Sequence, residues 1–159
     1  MTAWLEGGRP YAALVFASLA AVGAALVSQH VFDMLPCPWC ILQRVIFVAI
    51  ALVALPAVFV RALRKPVAVL VLLLAACGIA AALWQQFVAS SSTSCNLTLA
   101  DRIVSGSGLD ALWPEVFAPW ASCADAAIKL FGLPYEMWSL ALYLVFIGVL
   151  VAAWRRAAR

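Results

Sequence analysis

The sequence predicts an all-α membrane protein, a four-transmembrane-helix bundle with both termini cytoplasmic and a large second loop on the opposite side. Three observations carry that expectation. The 159-residue chain is 67% hydrophobic and only 11% charged, against about 25% charged residues in an ordinary soluble domain. A soluble fold of this size has too little interior to hide so much apolar surface. Four apolar segments reach the roughly 20 residues that a helix needs to cross a bilayer, and the basic residues gather on one side of the spans they define. A chain of this length is expected to form one membrane domain, residues 1–159. No basic stripe reaches an aqueous face, so nucleic acid is not an expected partner.

The spans run at about Tyr11–Gln29, Ile41–Val60, Val67–Phe87 and Pro134–Trp154. The first and third contain no charged residue, the second only Arg44 and the fourth only Glu136, each near its start. Backbone groups in lipid must be satisfied within the segment, so these are helices and not open strands. The first apolar run exceeds a typical signal-peptide core and its leading region is poorly charged, so it reads as a retained span. Arg9, Arg61, Arg64, Lys65, Arg155, Arg156 and Arg159 fall on one side; Arg44, Arg102 and Lys129 fall on the other. The first side is therefore cytoplasmic. Trp39, Trp84 and Trp138 near the outer span ends, and Trp154 near an inner end, read as headgroup-level anchors.

Two loops face outward, at about residues 30–40 and 88–133. The second is the only large aqueous segment. It contains the small, polar stretches "ASSSTS" and "SGSG", which read as flexible. It continues as "LDALWPEVFAPW", either a short amphipathic piece on the membrane surface or an ordinary loop with aromatic anchors.

Cys37 and Cys40 fall at the outer mouth of the second span, and Cys95 and Cys123 in the large outer loop. Cys77 lies mid-span in the third helix, where it reads as a small buried hydrophobe. For the four outer cysteines a structural disulfide framework, a zinc site and redox catalysis compete. Zinc lacks the second half of its ligand pattern, so no metal is expected. A C-x2-C disulfide closes so short a loop that it makes a poor staple. Pro38 suits the first helical position, which sets Cys37 near the N-cap and Cys40 in the first turn. There the helix dipole favours the thiolate that disulfide exchange requires.

Arg44 follows Cys40 by four residues and so shares its helix face. Alone it would read as a snorkelling side chain. Beside Cys40 it is suited to hold a thiolate or an anionic acceptor at the membrane edge. Turnover needs an electron sink, and the sequence has no flavin, haem or nucleotide motif. A lipid-soluble carrier, a quinone, meets that need.

With these residues in view, the chain resembles the DsbB family, the inner-membrane disulfide bond formation proteins of bacteria. "SQHVFDMLPCPWCILQR" looks like the family's first periplasmic loop, and "WPEVFAPWASCADAAIKLFGLPYEMWSL" like the end of its second loop running into the last helix. The resemblance implies a thiol:quinone oxidoreductase with redox pairs Cys37–Cys40 and Cys95–Cys123. A DsbA-type thiol oxidase would attack Cys95 and release Cys123. Electrons would pass to Cys37–Cys40, through a Cys37–Cys123 link, and from Cys40 to a quinone (ubiquinone or menaquinone) held near Arg44. His30 is a further candidate for the quinone site, set against the plainer reading of an interfacial histidine. Gln85 and Gln86 stand where some relatives carry histidine-containing sequence, which puts quinone contacts from that region in question. Two other readings stay open: an enzyme resembling vitamin K epoxide reductase, and a tetraspan scaffold with structural disulfides.

Overall fold

A computed structural model of the chain describes residues 7–89, 99–126, 129–130 and 132–157. Among them, four long apolar helices make it a multi-pass membrane protein: α1 (Arg9–Val31), α2 (Pro38–Phe59), α3 (Arg64–Phe87) and α7 (Tyr135–Ala157). A 3-10 turn, Arg61–Leu63, joins α2 to α3. Three short helices, α4 (Leu99–Ser107), α5 (Leu109–Leu112) and α6 (Pro114–Phe117), lie in the long connection between α3 and α7. A minimal antiparallel hairpin follows, β1 (Lys129–Leu130) against β2 (Leu133–Pro134). The four long helices cover the four apolar segments except for Val60 and Pro134, and extend most of them by a turn or less.

Prolines set the starts of α1 and α2, where a missing N–H costs nothing. α2 is the most enclosed helix, packed between α1 and α3, while α7 packs mainly on α3 and touches α1 over a shorter stretch. Small residues line the buried seams: Ala51, Ala54 and Ala57 on α2, Ala75, Gly78 and Ala82 on α3. Lipid supplies no hydrophobic drive for helices to associate, so close backbone approach through small residues takes its place. A Cβ on Gly78 would collide with the ring of Tyr143. Tyr143 in turn stacks on Phe47 at 4.5 Å and donates its hydroxyl to the Gln43 carbonyl at 3.2 Å. At the opposite end, the Tyr11 hydroxyl donates to the Arg64 carbonyl at 2.7 Å and ties α1 to α3.

Three expectations change. Trp39 is buried against Trp84, with ring centroids 6.3 Å apart, and is not a headgroup anchor. It is the second residue of α2, on the face toward α3. Cys77 is exposed on the lipid side of α3 and not buried in the bundle, because the buried face of α3 runs through Ala75 and Gly78. "SGSG" is not a flexible patch. It forms the last turn of α4, and Gly108, at φ +69°, ends that helix and opens α5. Only glycine enters that left-handed conformation without strain. The aromatic stretch that follows folds as α5 and α6, with Phe117 buried and Leu112 and Trp113 exposed.

Candidate functional site

The N-terminus of α2 is built around its cysteines. Cys37 is the N-cap, and its sulfur accepts the Cys40 backbone N–H at 3.3 Å. Sulfur thus takes the place of the oxygen that caps most helices. The Cys37 and Cys40 sulfurs lie 2.7 Å apart, both as free thiols. Cys37 is fully buried and Cys40 partly so. From α3, the Gln85 side-chain amide donates to the Cys40 sulfur at 3.3 Å, and the Gln43 amide fixes Gln85 by donating to its oxygen at 2.8 Å.

Arg44 turns inward and does not snorkel. Its Nη1 donates to the Gln29 side-chain oxygen at 2.7 Å and to the Val116 carbonyl at 3.0 Å, and its Nη2 to the Ala25 carbonyl at 3.4 Å. Gln29 donates onward to the Glu115 carbonyl at 3.1 Å. These acceptors are neutral, so the guanidinium is held firmly while its charge is left for a further group. The same bonds fasten α6 over the mouth of α1 and α2.

The second loop is clipped to the first. The Trp120 and Ala121 N–H groups both donate to the Pro36 carbonyl, at 2.9 and 3.2 Å. That clip sets Cys123 against Cys37. Hydrogen bonding from Cys37, followed by the Trp39 backbone N–H, pulls the Cys123 thiol below its ordinary pKa despite partial burial. Hydrogen bonds to Cys123 and Cys40, together with burial, push the Cys37 thiol far up. Burial and its sulfur neighbours therefore outweigh the helix-end effect at Cys37.

On its other side, Cys40 opens onto a cavity of about 480 Å³ between α1, α2 and α7. Arg44, Gln85, Phe47, Tyr135 and Glu136 share its wall. Ala24, Ala141 and Val145 also line it and are themselves exposed on the outer surface of α1 and α7, so the cavity communicates with the lipid-facing side. A second space of about 30 Å³ leads from Cys40, Arg44 and Tyr135 toward Met34, Pro36 and Ala126 on the loop side.

This arrangement agrees with comparisons to known proteins. The family model "Disulfide bond formation protein DsbB" matches residues 9–153. Disulfide bond formation protein B 1 of Pseudomonas syringae pv. syringae is 37% identical over 140 residues, spanning 85% of this chain and 81% of the relative. The corresponding protein of Herminiimonas arsenicoxydans is 30% identical over 144 residues, spanning 89% and 91%. The chain belongs to the DsbB family. It is a disulfide bond formation protein, and the DsbB resemblance read from the cysteine pattern holds.

Of the residues expected at a DsbB site, the structure brings Cys37, Cys40, Arg44 and Cys123 together. Cys95 lies outside the described residues. His30 is exposed in the last turn of α1 and is absent from the cavity wall. Its neighbour Gln29 is the buried residue and binds Arg44. Gln85 fills the place left in question between α3 and the loop. Gln29, Tyr135 and Glu136 were missed; of these only Glu136, a charge inside a span, carried a signal in the sequence.

Proposed function

We propose that the protein is a thiol:quinone oxidoreductase of the bacterial inner membrane. It reoxidises a DsbA-type thiol oxidase on the periplasmic side and passes the electrons to a membrane quinone. One observation carries this reading: the α2 cysteine pair faces two ways, Cys37 toward Cys123 on the loop side and Cys40 toward an apolar cavity shared with Arg44. The cavity suits a ring with carbonyl oxygens. It has alanine walls, the flat face of Phe47, and a fixed cation without an acidic partner among its hydrogen bonds. A quinone bound there supplies a two-electron acceptor that diffuses in the lipid.

The partner's thiolate attacks Cys95 of the Cys95–Cys123 disulfide, and Cys123 leaves as a thiolate. Its lowered pKa makes it a good leaving group. Cys123 then attacks Cys37, against which the loop clip holds it, and Cys40 is the group released. The partner's second thiol resolves its link to Cys95, and the Cys95 thiolate attacks Cys123, which re-forms Cys95–Cys123 and leaves Cys37 and Cys40 both reduced. The freed Cys40 sulfur stands on the cavity wall, with the Gln85 amide donating to it and the Arg44 charge on the same helix face. Arg44 stabilises negative charge there in a water-poor site, where electrostatic contacts count for most. The wide majority of basic residues at the other helix ends supports a periplasmic position for the cysteines.

Purified protein supplied with a reduced DsbA-type oxidase and a quinone should form one quinol per partner disulfide. Cys40→Ser should abolish that turnover. Undiminished turnover in Cys40→Ser, or partner oxidation by the parent without quinol formation, would remove the proposal.

A further inference from the structure

Among the described residues, Glu136 is the one acidic side chain on the cavity wall. It is 4% exposed, in the first turn of α7, and its carboxyl has no hydrogen bond or ion pair among those residues. An acidic residue in a first helical turn ordinarily complements the helix dipole from the solvent. This one is enclosed within the bundle at the outer end of a span, where an ionisable group is costly and points to function.

The reaction proposed above requires protons as well as electrons. Two thiols, Cys37 and Cys40, become a disulfide, and a quinone becomes a quinol: one S–S bond forms, two S–H bonds are lost and two O–H bonds are made. The electron pair leaves through Cys40, but no thiol proton can follow it directly to both quinone oxygens. Other polar groups on the wall are poorly suited to the task. Arg44 does not deprotonate, the amides of Gln43 and Gln85 are not acids, and the Tyr135 phenol is a much weaker acid than a carboxyl. We propose that Glu136 is the general acid of the quinone side, delivering a proton to a quinone oxygen as the Cys37–Cys40 disulfide forms. It is recharged by the protons the thiols release into the cavity; the small space beside Tyr135 and Pro36, large enough for about one water, connects Cys40 with the loop side. This deepens the quinone reading and rests on it.

The experiment compares the parent with Glu136→Gln and Glu136→Asp, each fully reduced and mixed anaerobically with a soluble ubiquinone analogue. Cys40 and Arg44 on α2 and Tyr135 on α7 are the other titratable or charged groups facing the cavity; α1 and α3 contribute none. Glu136→Gln is expected to slow quinol formation on the order of 10²-fold. Quinone binding, read by tryptophan quenching, and disulfide exchange with the thiol partner should persist. Glu136→Asp should restore part of the rate. Infrared difference spectra of the parent, oxidised against reduced, should contain a carboxyl band that shifts in Glu136→Asp and vanishes in Glu136→Gln. A parental rate in Glu136→Gln overturns the inference, as does a parent spectrum without a carboxyl change, which also decides the matter if Glu136→Gln fails to fold. A parent that makes no quinol at all instead overturns the quinone reading.

Discussion

Cys37 and Cys123 touch each other yet are driven in opposite directions, Cys123 toward the thiolate and Cys37 toward the thiol. In the fully reduced protein, alkylation of Cys123 should therefore persist as pH falls below the range of an ordinary cysteine. Cys37 should react only well above that range. Mass-spectrometric mapping of labelled peptides across pH checks this, and equal labelling profiles would contradict it. Arg44 was legible from its spacing after Cys40, because four residues fix a shared helix face. Gln29 was not, because an amide beside a histidine announces no chemistry until the register of α1 shows which of the two turns inward. Losing a charge-assisted hydrogen bond costs about 1.5–3 kcal/mol. Arg44→Ala should thus raise the KM for quinone roughly 10- to 100-fold, leaving the rate of thiol exchange with the partner near the parental value. An unchanged quinone KM would take Arg44 out of the site.

The four spans could be read from hydropathy because lipid forces long uninterrupted apolar helices. Which face of each helix turns inward could not, since a helix apolar all round carries no stripe. That is why Trp39 and Cys77 were misplaced in opposite senses. The α4 helix escaped notice for a different reason. Its Ser and Gly residues suggest flexibility, while the Ala100 and Val104 pair that it buries is only one i, i+4 step long. Gly78 shows the element scale most directly, since α3 and α7 meet where it has no side chain. Gly78→Ala should destabilise the bundle by about 1–3 kcal/mol, as overpacking does elsewhere. A lowered thermal midpoint in detergent is expected; an unchanged midpoint would mean that Tyr143 can move aside.

Across the whole molecule, the clip from Trp120 and Ala121 to Pro36 joins an aqueous loop to a cavity on the lipid side through one cysteine pair. The sequence showed both cysteine pairs but not this join, which consists of backbone hydrogen bonds between segments more than eighty residues apart. With Cys40 replaced by serine, Cys37 has Cys123 as its nearest sulfur among the described residues. Peptide mapping of oxidised protein carrying both Cys40→Ser and Cys95→Ser should find a Cys37–Cys123 bridge, and its absence would contradict the observed contact. The central claim is that electrons leave the protein from Cys40 into the cavity beside Arg44. The most direct test is a single turnover: fully reduced protein, no partner, mixed anaerobically with quinone, with quinol measured by absorbance and disulfides by mass spectrometry. Quinol formation accompanied by a Cys37–Cys40 disulfide in the parent, and none in Cys40→Ser, is the expected result. Quinol formed equally by Cys40→Ser would contradict it.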